Sequence, residues 1–433
     1  MAQSWGNVDK ENHLQELKVS WINDIEQINE SETILSHGNG RTYSNSCLNK
    51  DGDLLLTRSL NKFISFDQTN GTLECESGLT FGEILNLIVP RGWFLPVTPG
   101  TKYVTLGGAI ANDIHGKNHH TMGNFGNHIQ SITIYNTEAG IFRCSPYENS
   151  EYFEATVGGI GLTGVILSAK FKLIPIKSQM INQEMIKFNN LDEFFEINNQ
   201  STGSTYTVSW IDCMAKGEKL GRGHYIRGEH VNKNDQTLEK IYKETKKTVP
   251  FNFPKFSLNS YSIKAFNSLY FRKFLGERED STVHFNPFFY PLDSINNWNR
   301  IYGKDGFYQY QFVVPHKDGR EAVREVFKEI SKSGQGSFLG VLKTFGDIPA
   351  KGMMSFPMEG ITLALDFRNQ GEKTLQLFSR LDKIVNEVDG RLYIAKDTRL
   401  PKNLFERFYP NFNKFKQYID PKFSSSFWRR INE

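Results

Sequence analysis

Two patterns of apolar residues divide the chain. Between about residues 30 and 175, apolar positions come in short β-like runs broken by Gly, Asn and Asp. Residues 54–57, 63–67 and 72–76 read as strands separated by turns. Residues 80–88 are predicted helical. Thr80 is suited to an N-cap, Glu83 stands three residues on as in a capping box, and Pro90 stops the run. Residues 164–175 alternate as a strand that closes this region.

The second pattern covers 307–395. Residues 308–314 read as a strand. Ala322, Val323, Val326, Phe327 and Ile330 recur at helical spacing, which predicts a helix over 319–332 with Asp318 as N-cap and Gly334 beyond its end. Residues 337–345 and 361–367 are predicted strands. Leu377, Leu381, Ile384, Val385 and Val388 mark a helix over 374–389, with Gly390 as its C-cap, and 392–395 is a further strand. The order β-α-β-β-α-β is the split βαβ signature. It predicts an antiparallel sheet with helices on one side and a free face that can roof a site.

The chain of 433 residues is long for one core, so two or three units are expected. A net charge of +3 provides no basic field for nucleic acid. Cys47, Cys75, Cys144 and Cys213 are scattered and form no CxxC pair, which argues for free thiols and against a zinc site. The polar start MAQSWGNVDK lacks a secretory h-region, and no apolar run approaches a bilayer span. A cytoplasmic protein is expected.

Four stretches carry the chemistry. In 36–44, Gly38, Asn39, Gly40 and Arg41 allow backbone torsions that converge N–H groups, which suits a pyrophosphate, and Tyr43 follows. In 96–114, Pro99, Gly100 and Thr101 offer a turn, and Thr105, Gly107, Gly108 and Asn112 continue with little side-chain bulk. The third stretch joins His115, Gly116, Lys117, His119 and His120 to Gly123, Asn124, Gly126, Asn127 and His128. A metal cluster is the rival reading there, but no carboxylate or cysteine beyond Asp113 accompanies these histidines, so no metal is expected. In the fourth, Gly158, Gly161, Gly164 and Ile166 resemble a dinucleotide turn in glycine count only. The spacing is GGxGxxG and a strand follows, which excludes a nicotinamide Rossmann site. Together the stretches describe one backbone-lined groove for a long, flat, doubly phosphorylated cofactor.

The runs HGNGRTYS (37–44), TPGTKYVTLGGAIANDIHGKNHH (98–120), GNFGNH (123–128), GGIGLTGVI (158–166), WIDCMAKGEKLGRGHY (210–225), WNRIYG (298–303), GFYQYQFVVP (306–315), VLKTFG (341–346) and GRLYIAKDTR (390–399) resemble the FAD-binding family typified by vanillyl-alcohol oxidase and p-cresol methylhydroxylase. Within it they are similar to the subgroup of decaprenylphosphoryl-ribose 2′-oxidases. The resemblance implies an α+β fold with a split FAD-binding domain of the vanillyl-alcohol oxidase type and an antiparallel-sheet substrate (cap) domain. The implied bounds are 1–176 for the FAD domain, 177–389 for the cap, and 390–433 for a tail returning to the FAD domain. Gly38–Arg41 and Pro99–Thr101 would cradle the pyrophosphate. Thr105–Asn112, Gly123–Asn127 and Gly158–Ile166 would line the rest of the flavin. Some relatives bond FAD covalently through a histidine after the GxG turn. Arg41 stands in that place here, so non-covalent FAD is expected. His115, Lys117, Gln311, Lys343, Tyr393 and Lys396 match residues around the flavin ring and substrate. Mycobacterial members of the subgroup have cysteine where Ala364 stands and asparagine where Thr362 stands.

The implied activity is oxidation of the 2′-hydroxyl of a polyprenyl-phosphate pentose, the first half of an epimerisation for cell-envelope arabinose, completed by a short-chain NAD(P)-dependent reductase. A soluble aldonolactone or alditol oxidase using oxygen is the alternative. Gln309 and Gln311, two apart on one strand, offer amides to a polyol from one face. The alcohol proton needs a base. His115 on the substrate hydroxyl, with Lys396 as electrostatic partner, is the expected arrangement, and Tyr393 and Lys117 complete the catalytic set. Residues 251–276 interleave eight aromatics with Lys255, Lys264, Arg272 and Lys273, a composition suited to peripheral contact with a membrane and a lipid-linked substrate.

Overall fold

The turn-broken N-terminal runs fold into an antiparallel sheet of five strands, β1 (Phe63–Asp67), β2 (Thr72–Glu76), β3 (Ile129–Asn136), β4 (Gly140–Cys144) and β5 (Val165–Lys172), in the order β1-β2-β5-β3-β4. This computed structural model describes residues 2–232, 244–274 and 276–432. The central strand β5 does not alternate over 165–169. It is buried on both faces, as a covered central strand must be. α1 (Phe81–Ile88) begins on its capping box: Glu83 N donates to Thr80 Oγ1 at 3.2 Å, and Thr80 N donates to Glu83 Oε2 at 2.8 Å. A small parallel sheet of Glu16–Lys18, Asp53–Leu56 and Ile34–His37 lies beside it. The C-terminal segment packs there, with Ile34 N donating to Lys422 O at 2.8 Å and Thr137 Oγ1 to Asp420 Oδ1 at 2.6 Å.

The second sheet has eight strands. They are β6 (Met180–Phe188), β7 (Tyr206–Ile211), β8 (Gly223–His230), β9 (Arg278–His284), β10 (Phe307–Val314), β11 (Gly340–Phe345), β12 (Gly360–Arg368) and β13 (Arg391–Leu392). The order is β9-β6-β8-β7-β11-β12-β10-β13, antiparallel throughout. The β-α-β-β-α-β unit read from the sequence is the β10–β13 half of this sheet, and the four strands from 180–284 widen it. With its mixed helices and antiparallel sheets, the fold is α+β.

Several local expectations are corrected. α4 (His316–Ser333) starts after Pro315, so Asp318 lies in its first turn, where its charge favours the helix dipole, and not at the cap. α5 (Glu372–Glu387) is followed by Asp389 in the left-handed region (φ 54°), and Gly390 is not its C-cap. A Cβ at Gly390 would stand 2.7 Å from Val313 O, so close packing on β10 is what requires glycine there. The strand expected at 337–345 begins at Gly340. The one expected at 392–395 stops at Leu392, and Ile394–Lys396 form a 3-10 turn.

One face of β10–β12 carries Tyr308, Tyr310, Phe312, Leu342, Leu363 and Leu365 into a core with Val323, Phe327, Leu377 and Leu381 from α4 and α5. The opposite face looks toward the N-terminal half. A buried polar knot ties the halves together. Asp113 (φ 37°) accepts from Asn124 Nδ2 at 2.7 Å, Gly126 N at 2.8 Å and Ser355 Oγ at 2.5 Å, and Ser355 lies between β11 and β12. Burial pushes the Asp113 carboxyl up, while the three donors pull it back. Asp113→Ala strands those donors in the interior and is expected to destabilise the protein by about 3 kcal/mol, read from urea midpoints.

Candidate active site

A cavity of about 880 Å³ separates the glycine-rich loops from the free face of the eight-stranded sheet. On the loop side its wall includes Gly38, Asn39, Gly40, Arg41, Tyr43, Pro99, Gly100, Thr101, Thr105, Gly107, Gly108, Asn112, Gly116, Gly161, Gly164 and Ile166. Backbone must come close here. A Cβ on Gly38 would sit 2.4 Å from Thr105 Oγ1, and Gly40 (φ 56°) is left-handed. Thr105 Oγ1 in turn caps the short helix Leu106–Ala111 by accepting from Gly108 N at 3.2 Å. The Arg41 guanidinium lies over Trp5 and Tyr103, 4.4 and 5.3 Å from the ring centres. Ser36 Oγ, Arg41 Nε and Asn112 Oδ1 are buried on this wall with no hydrogen-bond partner among the described residues. Unpaired buried polar atoms are costly, so donor and acceptor groups from an elongated ligand fit this trough.

The opposite wall follows from strand alternation. Registers pair Gln309 with Asp366, Gln311 with Ala364, Val313 with Thr362, Val341 with Ala364, Lys343 with Thr362, Trp210 with Val341 and His224, and Val208 with Ile226. All these residues share one face. It runs from amides on β10 through Lys343 on β11 to Val208, Trp210 and Ile226 on β7 and β8. Gln309 Nε2 donates to Asp366 Oδ1 at 2.6 Å.

Lys396 enters from the 3-10 turn, its Nζ 3.8 Å above the Tyr43 ring. Tyr43 N donates to Ala395 O at 2.9 Å, which holds that turn against the Gly38–Arg41 loop. Tyr393 stacks on Phe356 at 4.5 Å and donates from Oη to Asn112 O at 2.9 Å. Lys117 donates to Phe288 O at 2.5 Å.

Burial sets the charges. Lys117, Lys343 and Lys396 each fall from 10.5 to about 7, desolvation being the main cause. The neighbouring Lys117 lowers Lys343 further, whereas Asp366 pulls Lys396 back up. Asp366 itself is raised by burial to about 7. His115 is pushed well below its usual range, first by burial and then by Lys343.

Both ring nitrogens of His115 are engaged by protein groups. Lys343 Nζ lies 3.0 Å from His115 Nδ1, and the Gln311 amide lies 2.9 Å from Nε2. A neutral imidazole has one N–H and one lone pair. One ring nitrogen therefore donates and the other accepts, and Lys343 and Gln311 Nε2 together hold the ring from both sides.

Gly123, Asn124, Gly126 and Asn127, expected beside the cofactor, do not line the cavity. Asn124 Nδ2 and Gly126 N are spent on Asp113, Asn127 Oδ1 on Asn124 N, and Asn127 Nδ2 on Pro349 O. The other three histidines of that stretch serve backbone groups: His119 Nδ1 accepts from Gly346 N, His120 pairs with Ser204 O and His128 with Met122 O. Among the described residues, no group of three or more His, Cys, Asp or Glu is placed to hold a metal. The sequence reading missed Trp5, Asp293 and Trp298 on the loop side, which only tertiary folding brings there. It also missed Asp366, which the parity of 362, 364 and 366 could have signalled.

Residues 25–145 match the family model of an FAD binding domain. Over 413 residues the chain is 34% identical to decaprenylphosphoryl-β-D-ribose oxidase of Mycolicibacterium smegmatis, covering 92% of this chain and 89% of that one. The chain belongs to the decaprenylphosphoryl-β-D-ribose oxidase family. It is an FAD-dependent oxidoreductase acting on CH–OH groups, and the trough with its unpaired polar atoms fits FAD. More partial likenesses reach D-arabinono-1,4-lactone oxidase of Candida glabrata (25% over 167 residues, 38% of this chain and 31% of that one) and Delta(24)-sterol reductase of Homo sapiens (28% over 119 residues, 28% and 23%).

In this member of the oxidase family the buried amines imply a pH signature. Between pH 7 and 10.5 an unfolded lysine keeps its proton while Lys117, Lys343 and Lys396 have lost theirs. The unfolded chain then binds more protons, so stability rises with pH. The FAD-free protein is expected to gain on the order of 1 kcal/mol per pH unit for each lysine between pH 7 and 9, and Lys343→Met should flatten the slope of urea midpoint against pH.

Proposed function

We propose that this protein oxidises a secondary alcohol on a lipid-linked sugar, the 2′-hydroxyl of a polyprenyl-phosphate ribose, to the ketone. The carrying observation is the graded sheet face opposite the glycine trough, with amides for a polyol at one end and an apolar wall at the other. Residues 1–176 with the 390–433 tail would form the FAD-binding unit, and 177–389 the substrate unit. FAD would be held non-covalently, since Arg41 offers no nucleophile at the position some relatives use for attachment. The likeness to lactone oxidases covers too little of the chain to support that reading of the substrate unit.

FAD, when bound, supplies the hydride acceptor. The protein's own task is to orient the alcohol and remove its O–H proton. Lys396 suits that task. Its amine titrates at about 7, and it has no hydrogen-bond partner among the described residues beyond its contact with the Tyr43 ring. Gln311 and Lys343 hold His115 in place as a hydrogen-bonding wall, and Tyr393 fixes the Asn112 backbone. The ketone would pass to a separate short-chain NAD(P)-dependent reductase to complete an epimerisation.

α3 (Ser260–Lys273) covers the apolar end of the sheet face, with Tyr270 4.6 Å from Trp210. Its outer side and the preceding loop expose Phe256 (78%), Tyr261 (83%) and Leu269 (70%). Residues 245–276 hold six Lys or Arg and no Asp or Glu, a charge pattern that complements an anionic bilayer. Residue 275 of the aromatic-basic segment lies outside the described residues. Among those described, no helix is long and apolar enough to cross a membrane, so contact there would be peripheral.

Anaerobic flavin bleaching by a polyprenylphosphoryl ribose, but not by free alditols or lactones, is the expected outcome that tests the function. Its rate should rise from pH 6 to 8 as Lys396 loses its proton. Lys396→Met should slow it by about 100-fold or more with FAD content retained. Reduction by free alditols at the same rate would sink the lipid-linked reading. For the membrane contact, Phe256→Ser/Tyr261→Ser/Leu269→Ser should abolish co-sedimentation with phosphatidylserine vesicles, and equal pelleting would end that idea.

A further inference from the structure

Lys343 and Lys117 present an unusual combination. Both amines are enclosed by protein, both line the cavity, and neither is paired with a carboxylate among the described residues. Lys343 Nζ is fixed by Gly116 O at 2.8 Å and by His115 at 3.0 Å. Lys117 is fixed at both ends. Its carbonyl accepts from Thr207 N at 2.8 Å, which pins it under β7, and its amine reaches Phe288 O and lies 4.6 Å above the Phe288 ring. An ammonium group in such surroundings is strongly disfavoured unless negative charge arrives. Each lysine has three donors, and the contacts above leave donors of Lys343 and Lys117 for a ligand.

The place of Lys343 on the sheet face, with Lys117 held against β7, indicates what that ligand is. Gln309 and Gln311 lie on β10. Two strands over, across β12, comes Lys343 on β11. One strand further are Val208 and Trp210 on β7, then Ile226 on β8. Strands lie about 4.8 Å apart, and His115, in contact with both Gln311 and Lys343, spans the space between amide and amine, with the hydrocarbon wall immediately beyond. Amide, amine, hydrocarbon is the order of groups needed to meet polyol, anion and lipid along one extended molecule.

We propose that Lys343 and Lys117 form a subsite for a singly charged phosphodiester, placed between the polyol-facing amides and the apolar wall of β7 and β8. This inference rests on the lipid-linked sugar reading and assigns the part of the cavity that would hold the linkage. The depressed pKa values of both lysines agree with it, since an arriving anion would restore their protons. Lys396 stands apart from the pair. The charge that acts on it is that of Asp366, and it approaches from the Tyr43 side.

The test uses the FAD-loaded full chain and two ribosides of equal lipid length, farnesylphosphoryl-β-D-ribose and the neutral farnesyl β-D-ribofuranoside. Wild type should favour the phosphodiester by about tenfold or more in kcat/KM for flavin reduction. Lys343→Met and Lys117→Met should each bring that ratio toward one, acting through KM, while Lys343→Arg keeps most of it. An unchanged ratio in both Met variants overturns the subsite and leaves the oxidation itself standing. If neither riboside reduces the flavin, the lipid-linked reading has failed, and sugar-free farnesyl phosphate, titrated against the flavin spectrum with farnesol as control, decides the subsite alone. Binding weakened about tenfold in both Met variants supports it, and binding equal to wild type overturns it.

Discussion

The period of two along the β10–β12 strands is the constraint on which the site depends. Because alternate side chains leave opposite faces, committing Tyr308, Tyr310 and Phe312 to the core under α4 and α5 forces Gln309 and Gln311 to the other side. The same parity places Thr362 and Ala364 with Lys343 and Val341. A one-residue slip on any of these strands would bury the amides under the helices and turn phenylalanine into the cavity. The heavy packing of the helical face therefore fixes the composition of the functional face.

The second consequence is electrostatic. The closed cavity takes three lysines out of bulk water without an ion pair to a carboxylate among the described residues. Three lysines titrating near 7 and a carboxyl raised to the same value are the outcome. A lysine is a useful base near neutral pH only when its charged form is penalised, and here burial supplies the penalty. His115 is the obvious base by its free pKa, yet Lys343 and Gln311 immobilise it. Local chemistry nominated the histidine, and tertiary surroundings transfer the near-neutral titration to Lys396.

That transfer marks the limit of what the sequence could reveal. Glycines with positive φ, such as Gly40, Gly161 and Gly164, are visible because absent side chains leave a mark on composition. The amide pair on β10 is visible because parity is local. The strands β6, β8 and β9 are harder to see. β9 reads REDSTVH and is mostly exposed, so its strand character comes from pairing with β6 and not from an apolar stripe. Gly123–Asn127 look like a ligand loop for the reason that any loop tight around a polar group does, and here that group is Asp113. Desolvation depends on what closes over a residue from elsewhere in the chain, which no window of sequence contains.

The two walls of the cavity share their cores, and that sharing has a mechanical side. The core beneath α4 and α5 takes in Leu35, Leu54 and Leu162 from the loop half, and the core of the five-stranded sheet takes in Ile181, Tyr206 and Phe288 from the other half. Polar ties add directional contacts to that shared packing: Asp113 to Ser355, Tyr393 to Asn112, and Tyr43 to Ala395. Each tie lies within a few residues of a group that faces the cavity. Hydrogen bonds require closer geometry than apolar contact does, so they set distances that hydrophobic burial alone leaves loose. Shared packing and polar ties together therefore fix the width of the cavity, and with it the approach of Lys396 to anything held in the trough.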